Sequence, residues 1–117
     1  MELRDIQRMQ KDFDLEYFRE FWEIEGYEDF LDRLEYLVVA LTGEIGEFAN
    51  LVKKLRREYM HMGIEKNEYV SRLREELTDI FIYTLIAANL LDMDLEEWFK
   101  KKMEFNRERF KKYAGRE

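Results

Sequence analysis

The chain has 117 residues, the size of one domain, and 46% hydrophobic with 15% aromatic residues gives it the material for a buried core. Lys and Arg number 20 against 27 Asp and Glu, a net charge of −7 with no dense basic block, which argues against nucleic acid as a partner. No Cys means no disulfide, thiol nucleophile or Cys-ligated metal; a single His excludes a multi-His centre; no apolar run approaches the roughly 18 residues of a membrane span. The opening Met-Glu-Leu-Arg-Asp has no signal-peptide apolar region, so a cytoplasmic protein is expected.

There is no Pro and there are five Gly, which points to helices. The breakers cluster around Gly26, around Gly63 and at Asp92-Met93-Asp94. A first helix is predicted through Ile6, Met9, Phe13, Tyr17 and Phe21, which step by three or four. A second starts near Asp29 as N-cap and runs to about Arg57, with a stripe of Leu34, Leu37, Val38, Leu41, Ile45, Phe48, Leu51, Val52 and Leu55. A third opens at Asn67 and carries Val70, Leu73, Leu77, Ile80, Phe81, Thr84, Leu85, Ala88 and Leu91. A fourth opens on Asp94-Leu-Glu-Glu97, a start like a capping box, and continues through Leu95, Trp98, Phe99, Met103 and Phe110. No repeat or linker interrupts residues 1–117, so the expected fold is a single all-α domain, a compact four-helix bundle. Phe13, Tyr17, Phe18, Phe21 and Trp22 crowd the first helix on more than one side, which favours an oligomer that completes the core.

The second and third helices carry the anomaly. Glu44 and Glu47 stand three apart, and Glu44 falls inside the apolar stripe between Leu41 and Phe48. Glu76 and Asp79 repeat the spacing on the third helix, among Ile80, Tyr83 and Ala87. Four carboxylates at the edge of a core cannot all be ionised unless a cation balances them. Oxygen ligands without His or Cys select a hard cation, Mg²⁺ first and Mn²⁺ second. Gly43 and Gly46 beside them suggest a close approach to the backbone. The bland reading is a solvated helix face, since one such pair arises often in a chain that is 40% charged. Two pairs on neighbouring helices, both among apolar positions, make a metal site the better reading. On the fourth helix, Lys102, Asn106 and Arg109 share a stripe that suits a polyanion, although a solvated basic end explains them equally well when taken alone.

The ordered set Gly43-Glu44-x-Gly-Glu47, Glu75-Glu76-Leu-Thr-Asp79 with Ile82-Tyr83, and Lys102-x3-Asn106-x2-Arg109-Phe resembles the MazG-like all-α nucleoside triphosphate pyrophosphohydrolases, most nearly their single-domain dCTP pyrophosphatase branch. The resemblance covers residues 30 to 113. It implies that Glu44, Glu47, Glu76 and Asp79 bind Mg²⁺, that Lys102 and Arg109 hold phosphates, and that Tyr83 and Asn106 contact the nucleotide. It implies cleavage between the α- and β-phosphates, in a homodimer or homotetramer with sites between subunits. The chain departs from that branch at Asn50, where a further acid is expected, and at Lys54, which replaces a Trp of the base pocket and becomes a substrate contact of another kind. Tyr27 and Phe30 match it only loosely.

The chemistry is coherent on its own terms. A triphosphate and four carboxylates repel each other unless divalent metal bridges them. Glu47 is the expected base for the attacking water. Two other readings remain: a phosphoribosyl-ATP pyrophosphohydrolase of the same superfamily, and a non-catalytic helical interaction protein whose acids lie on the surface. His61 falls in a connection outside any Glu-x-x-His pattern, and Thr42 and Ser71 lack a neighbouring His, so none is a candidate catalyst. The high charge, with four Asn, two Gln and no Cys, fits a thermophilic source.

Overall fold

In the computed structural model, which describes residues 1–115, the first helix, α1 (Leu3–Tyr17), opens where the Asp5 carboxylate accepts the Glu2 N–H at 2.8 Å. It stops at Tyr17, and Phe21 lies in a separate 3₁₀ turn, Arg19–Trp22, rather than in a continuous helix. Arg33 from the next helix explains the break. Its guanidinium donates to the carbonyls of Phe21 at 2.7 Å and of Glu20 and Glu23 at 3.3 Å, taking acceptors that a continuing helix would use internally.

The second helix, α2, is Tyr27–Met62, longer at both ends than its apolar stripe predicts. Its N-cap is Gly26, not Asp29; Asp29 lies in the first turn, where its carboxylate accepts the Glu25 N–H at 3.0 Å and favours the positive end of the helix dipole. Tyr27 and Phe30 are therefore stacked within that turn, ring centroids 6.1 Å apart, and do not precede the helix. The helix ends at Gly63, whose φ of 64° is left-handed and whose N–H returns to the Glu58 and Tyr59 carbonyls. His61 is thus an exposed residue of the last turn rather than of a loop. The third helix, α3, is Glu68–Leu90; Asn67 precedes it but its side chain caps nothing. The fourth, α4, is Leu95–Arg109, and here the expected cap forms: Asp94 accepts from the Glu96 and Glu97 N–H groups. A short 3₁₀ turn, Lys111–Tyr113, follows.

The α2 and α3 helices form a tight hairpin, α1 lies across α3, and α4 packs against α1. Leu37 and Leu51 on α2 and Leu85, Ala88 and Leu90 on α3 are the buried apolar residues. A polar latch fixes α1. Buried Gln7 donates to Asn89 Oδ1 at 3.2 Å and to the Met93 carbonyl at 2.9 Å, and its Oε1 accepts the Leu95 N–H at 2.9 Å. Asn89 Nδ2 returns a bond to the Gln7 carbonyl at 3.0 Å.

Four α-helices and no strand among the described residues agree with the expected all-α helical bundle, but the single chain is extended rather than compact. Its radius of gyration is 18.7 Å, whereas a compact chain of this length has about 13 Å. Each helix of the hairpin buries one face and leaves another apolar one open: Val38, Val39 and Ile45 on α2 and Leu77 on α3 are exposed, as are Trp98, Phe99 and Phe105 on α4. No described helix is long and apolar enough to cross a membrane.

Candidate active site

The α2–α3 hairpin brings Glu44, Glu47 and Glu76 together, with one carboxylate oxygen of each within 4.8 Å of the others. The spacing of three on α2 puts Glu44 and Glu47 on adjacent turns, and close packing of α3 brings Glu76 opposite them. Glu44 and Glu76 are half-buried, Glu47 exposed at the rim. Glu44 Oε2 and Glu76 Oε2 are each buried with no hydrogen-bond partner. Two carboxylate oxygens have no proton to share when both are ionised, so either a proton or a cation must lie between such groups.

The titration of the cluster reflects this. Glu76 is raised above its ordinary value first by the facing Glu44 carboxyl, with which only the protonated form can hydrogen-bond, and then by desolvation. Glu47 is raised first by Glu76, through the same kind of contact and through like charge, with smaller contributions from desolvation and Asp79. Asp79 is thus close enough to be felt electrostatically, but it lies outside the three-oxygen cluster and lines the neighbouring cavity instead. The donor set fits a hard divalent cation: oxygen only, from three converging carboxylates, two of which keep a buried oxygen without a partner among the described residues.

Beside the cluster lies a cavity of about 740 Å³. Phe13, Tyr17 and Phe18 from α1 and the turn after it form one wall, and Tyr36 and Tyr83 face them from the hairpin, next to Glu44 and Asp79. Its aromatic walls and acidic mouth suit a flat heterocycle carrying a charged tail. Burial pushes the Tyr83 hydroxyl up, and the adjacent Tyr36, Glu44 and Asp79 add to the shift. Tyr36 also meets Phe21 edge-on, ring centroids 5.9 Å apart.

The expected residues divide into two groups. Glu44, Glu47 and Glu76 converge, and Asp79 and Tyr83 line the adjoining cavity. Lys54, Lys102, Asn106 and Arg109 do not line it. The last three ride on α4, whose main packing partner is α1. Nothing lies within 4 Å of where a Cβ on Gly43 or Gly46 would sit, so the close approach expected there is absent among the described residues. Among the cavity residues that the sequence does not single out are Tyr36, Gln10 and Asp14. Asp14 is only 5% exposed, and its signal was a carboxylate placed directly after Phe13 in the apolar stripe. Burial raises it, while the Gln10 hydrogen bond, the nearby Trp22 indole and Lys11 pull it back. The indole is near but not in hydrogen-bonding geometry, since Asp14 Oδ2 and Trp22 Nε1 are both buried without a partner.

Comparison with known proteins gives a consistent picture. Residues 33–114 match the model of the MazG nucleotide pyrophosphohydrolase domain. The human dCTP pyrophosphatase 1 is 32% identical over 115 residues, 97% of this chain and 62% of the human protein; the mouse enzyme of that name is 31% identical over the same shares. The Gene 37 protein of Mycobacterium phage L5 is 38% identical over 65 residues, 56% of this chain and 55% of the phage protein. The chain thus spans less than two thirds of the length of these relatives. No solved structure matches it.

Proposed function

The chain belongs to the MazG nucleotide pyrophosphohydrolase family, and on that premise we propose that it hydrolyses nucleoside triphosphates to a monophosphate and pyrophosphate with a divalent cation. The observation that carries this reading is the convergence of the Glu44, Glu47 and Glu76 carboxylates, with one oxygen each of Glu44 and Glu76 buried without a partner among the described residues. A solvated acidic face, as in a non-catalytic interaction protein, gives its carboxylates water rather than burying them without partners. Glu44, Glu47 and Glu76 would hold the cation, with Asp79 alongside. Oxygen ligands favour Mg²⁺, with Mn²⁺ second. Such an ion supplies charge neutralisation for the triphosphate and activation of water.

The chain's own residues do the rest. The aromatic walls take up the nucleoside, and Tyr83 orients it toward the acidic mouth. Glu47 stands at the exposed rim with its basicity raised by its neighbours, which suits it to accept the proton of the water that attacks the α-phosphorus. Lys102, Asn106 and Arg109 reach the phosphates from a second copy of the chain. Two features support that assembly: the open apolar faces of α2 and α4, and the extended shape of the single chain. We read the assembly as a homodimer or homotetramer in which Lys54 would contact substrate. Similarity along 97% of this chain to proteins named dCTP pyrophosphatase makes dCTP the first substrate to try.

The test is a panel of ribo- and deoxyribonucleoside triphosphates with Mg²⁺, with products separated. Monophosphate and pyrophosphate support the reading; orthophosphate, or no turnover of any triphosphate, refutes it. Glu76→Gln should abolish turnover and the Mg²⁺-dependent rise in thermal stability while the protein stays folded.

A further inference from the structure

Asp14 and Gln10 line the aromatic cavity that Glu44 and Asp79 also line. Gln10 Nε2 donates to Asp14 Oδ1 at 2.9 Å. An ionised carboxylate can only accept, so this contact decides which way the amide turns. The nitrogen is committed to Asp14, and Gln10 Oε1 is left as the remaining polar atom of that amide, without a hydrogen-bond partner among the described residues. Asp14 itself is 5% exposed and close enough to Lys11 and Trp22 to feel both, and the Lys11 ammonium lies 3.1 Å from the centre of the indole ring. A buried acid in the last turn of α1 costs stability and contributes little to the core, so it needs another reason to be there.

Resting on the proposed nucleotide reading, we propose that Asp14 is a positioning residue that turns the Gln10 carbonyl toward the nucleobase, so that the cavity selects a base bearing an exocyclic amino group. An amino group donates to the fixed carbonyl. A keto oxygen at the same place sets two acceptors against each other and leaves both unsatisfied, which is the situation in which polar sites discriminate best. Cytosine and adenine carry the amino group on the ring carbon where uracil, thymine and hypoxanthine carry a keto oxygen; guanine has a keto oxygen there and its amino group elsewhere.

The experiment compares kcat/KM for dCTP and dUTP, whose edges differ where the amide would read them, in the full chain and in Asp14→Asn. The unmodified protein should prefer dCTP by about tenfold or more. In Asp14→Asn the neighbouring amide can donate or accept, Gln10 is free to turn over, and the preference should fall by about tenfold. Gln10→Met, which keeps length and removes the amide, should give the same loss and serves if Asp14→Asn does not fold. Equilibrium binding of dCMP and dUMP reads the same ratio without turnover. An unmodified protein that hydrolyses triphosphates yet treats dCTP and dUTP alike, or folded variants that retain the original ratio, would overturn the role of Asp14. Absence of turnover across all triphosphates would instead overturn the underlying function, while the monophosphate ratio still decides the Asp14 inference: equal binding of dCMP and dUMP overturns it.

Discussion

Gln7→Ala isolates the latch that holds α1, and with it one wall of the cavity, against the corner between α3 and α4. The side chain makes three bonds, to Asn89 Oδ1, the Met93 carbonyl and the Leu95 N–H, and is 7% exposed. Truncation removes all three and leaves their partners in a partly buried setting. At about 1 kcal/mol for each hydrogen bond lost, the cost is about 3 kcal/mol. For a chain of this size that corresponds to a Tm lower by roughly 12 °C, taking about 4 °C per kcal/mol. Thermal unfolding followed by circular dichroism at the helical band measures it. Arg8→Ala is the control, one residue away: Arg8 is exposed and pairs only with Asp5 at 3.6 Å, so its loss should leave Tm nearly unchanged. A Gln7→Ala protein that melts within about 3 °C of the original would refute the latch as a stabilising element.

Further outcomes follow from the same structure. Leu85→Ala should cost about 2–5 kcal/mol, read by denaturant unfolding, because Leu85 is 2% exposed in a core of few residues. Asp94→Ala should cost about 1 kcal/mol by the same assay, since it strips the cap from the Glu96 and Glu97 N–H groups. Glu47 and Glu76 are both raised above their ordinary 4.5, so their protonated forms are favoured in the folded state. Their contribution to stability is therefore present below 4.5 and is lost as pH rises through the raised values. Chelator-treated protein should accordingly melt lower as pH rises from about 4.5 toward neutrality, and Mg²⁺ should restore Tm at the neutral end, where the ligands are ionised. Glu76→Gln should flatten the pH trend and remove the Mg²⁺ effect together.

Much of this was legible from periodicity. Glu44 inside an apolar stripe, matched by Glu76 on the next helix, marked the carboxylate cluster because a charge at a core edge needs a partner. Asp94 was readable as a cap because its chemistry is local. The boundaries of α2 were less so: Asp29 has the composition of a cap, but the helix begins before it, and a favourable first-turn charge looks the same in sequence. The 3₁₀ turn at Arg19–Trp22 depends on Arg33, more than ten residues on, and no local signal reports that clamp. Asp14, Gln10 and Tyr36 went unnoticed for a related reason. Single polar or aromatic residues in a helix stripe gain meaning only once tertiary packing shows which face lines a cavity. Lys102, Asn106 and Arg109 all lie on α4, as their spacing predicts, yet they do not line the cavity beside the acids.

The most direct measurement is a single turnover in ¹⁸O-enriched water with Mg²⁺ and excess protein, with the label located by mass spectrometry. Water attack at the α-phosphorus, the step for which the Glu44, Glu47 and Glu76 cluster is suited, places the ¹⁸O in the nucleoside monophosphate and leaves pyrophosphate unlabelled. Label in the pyrophosphate, or release of labelled orthophosphate, would contradict the account.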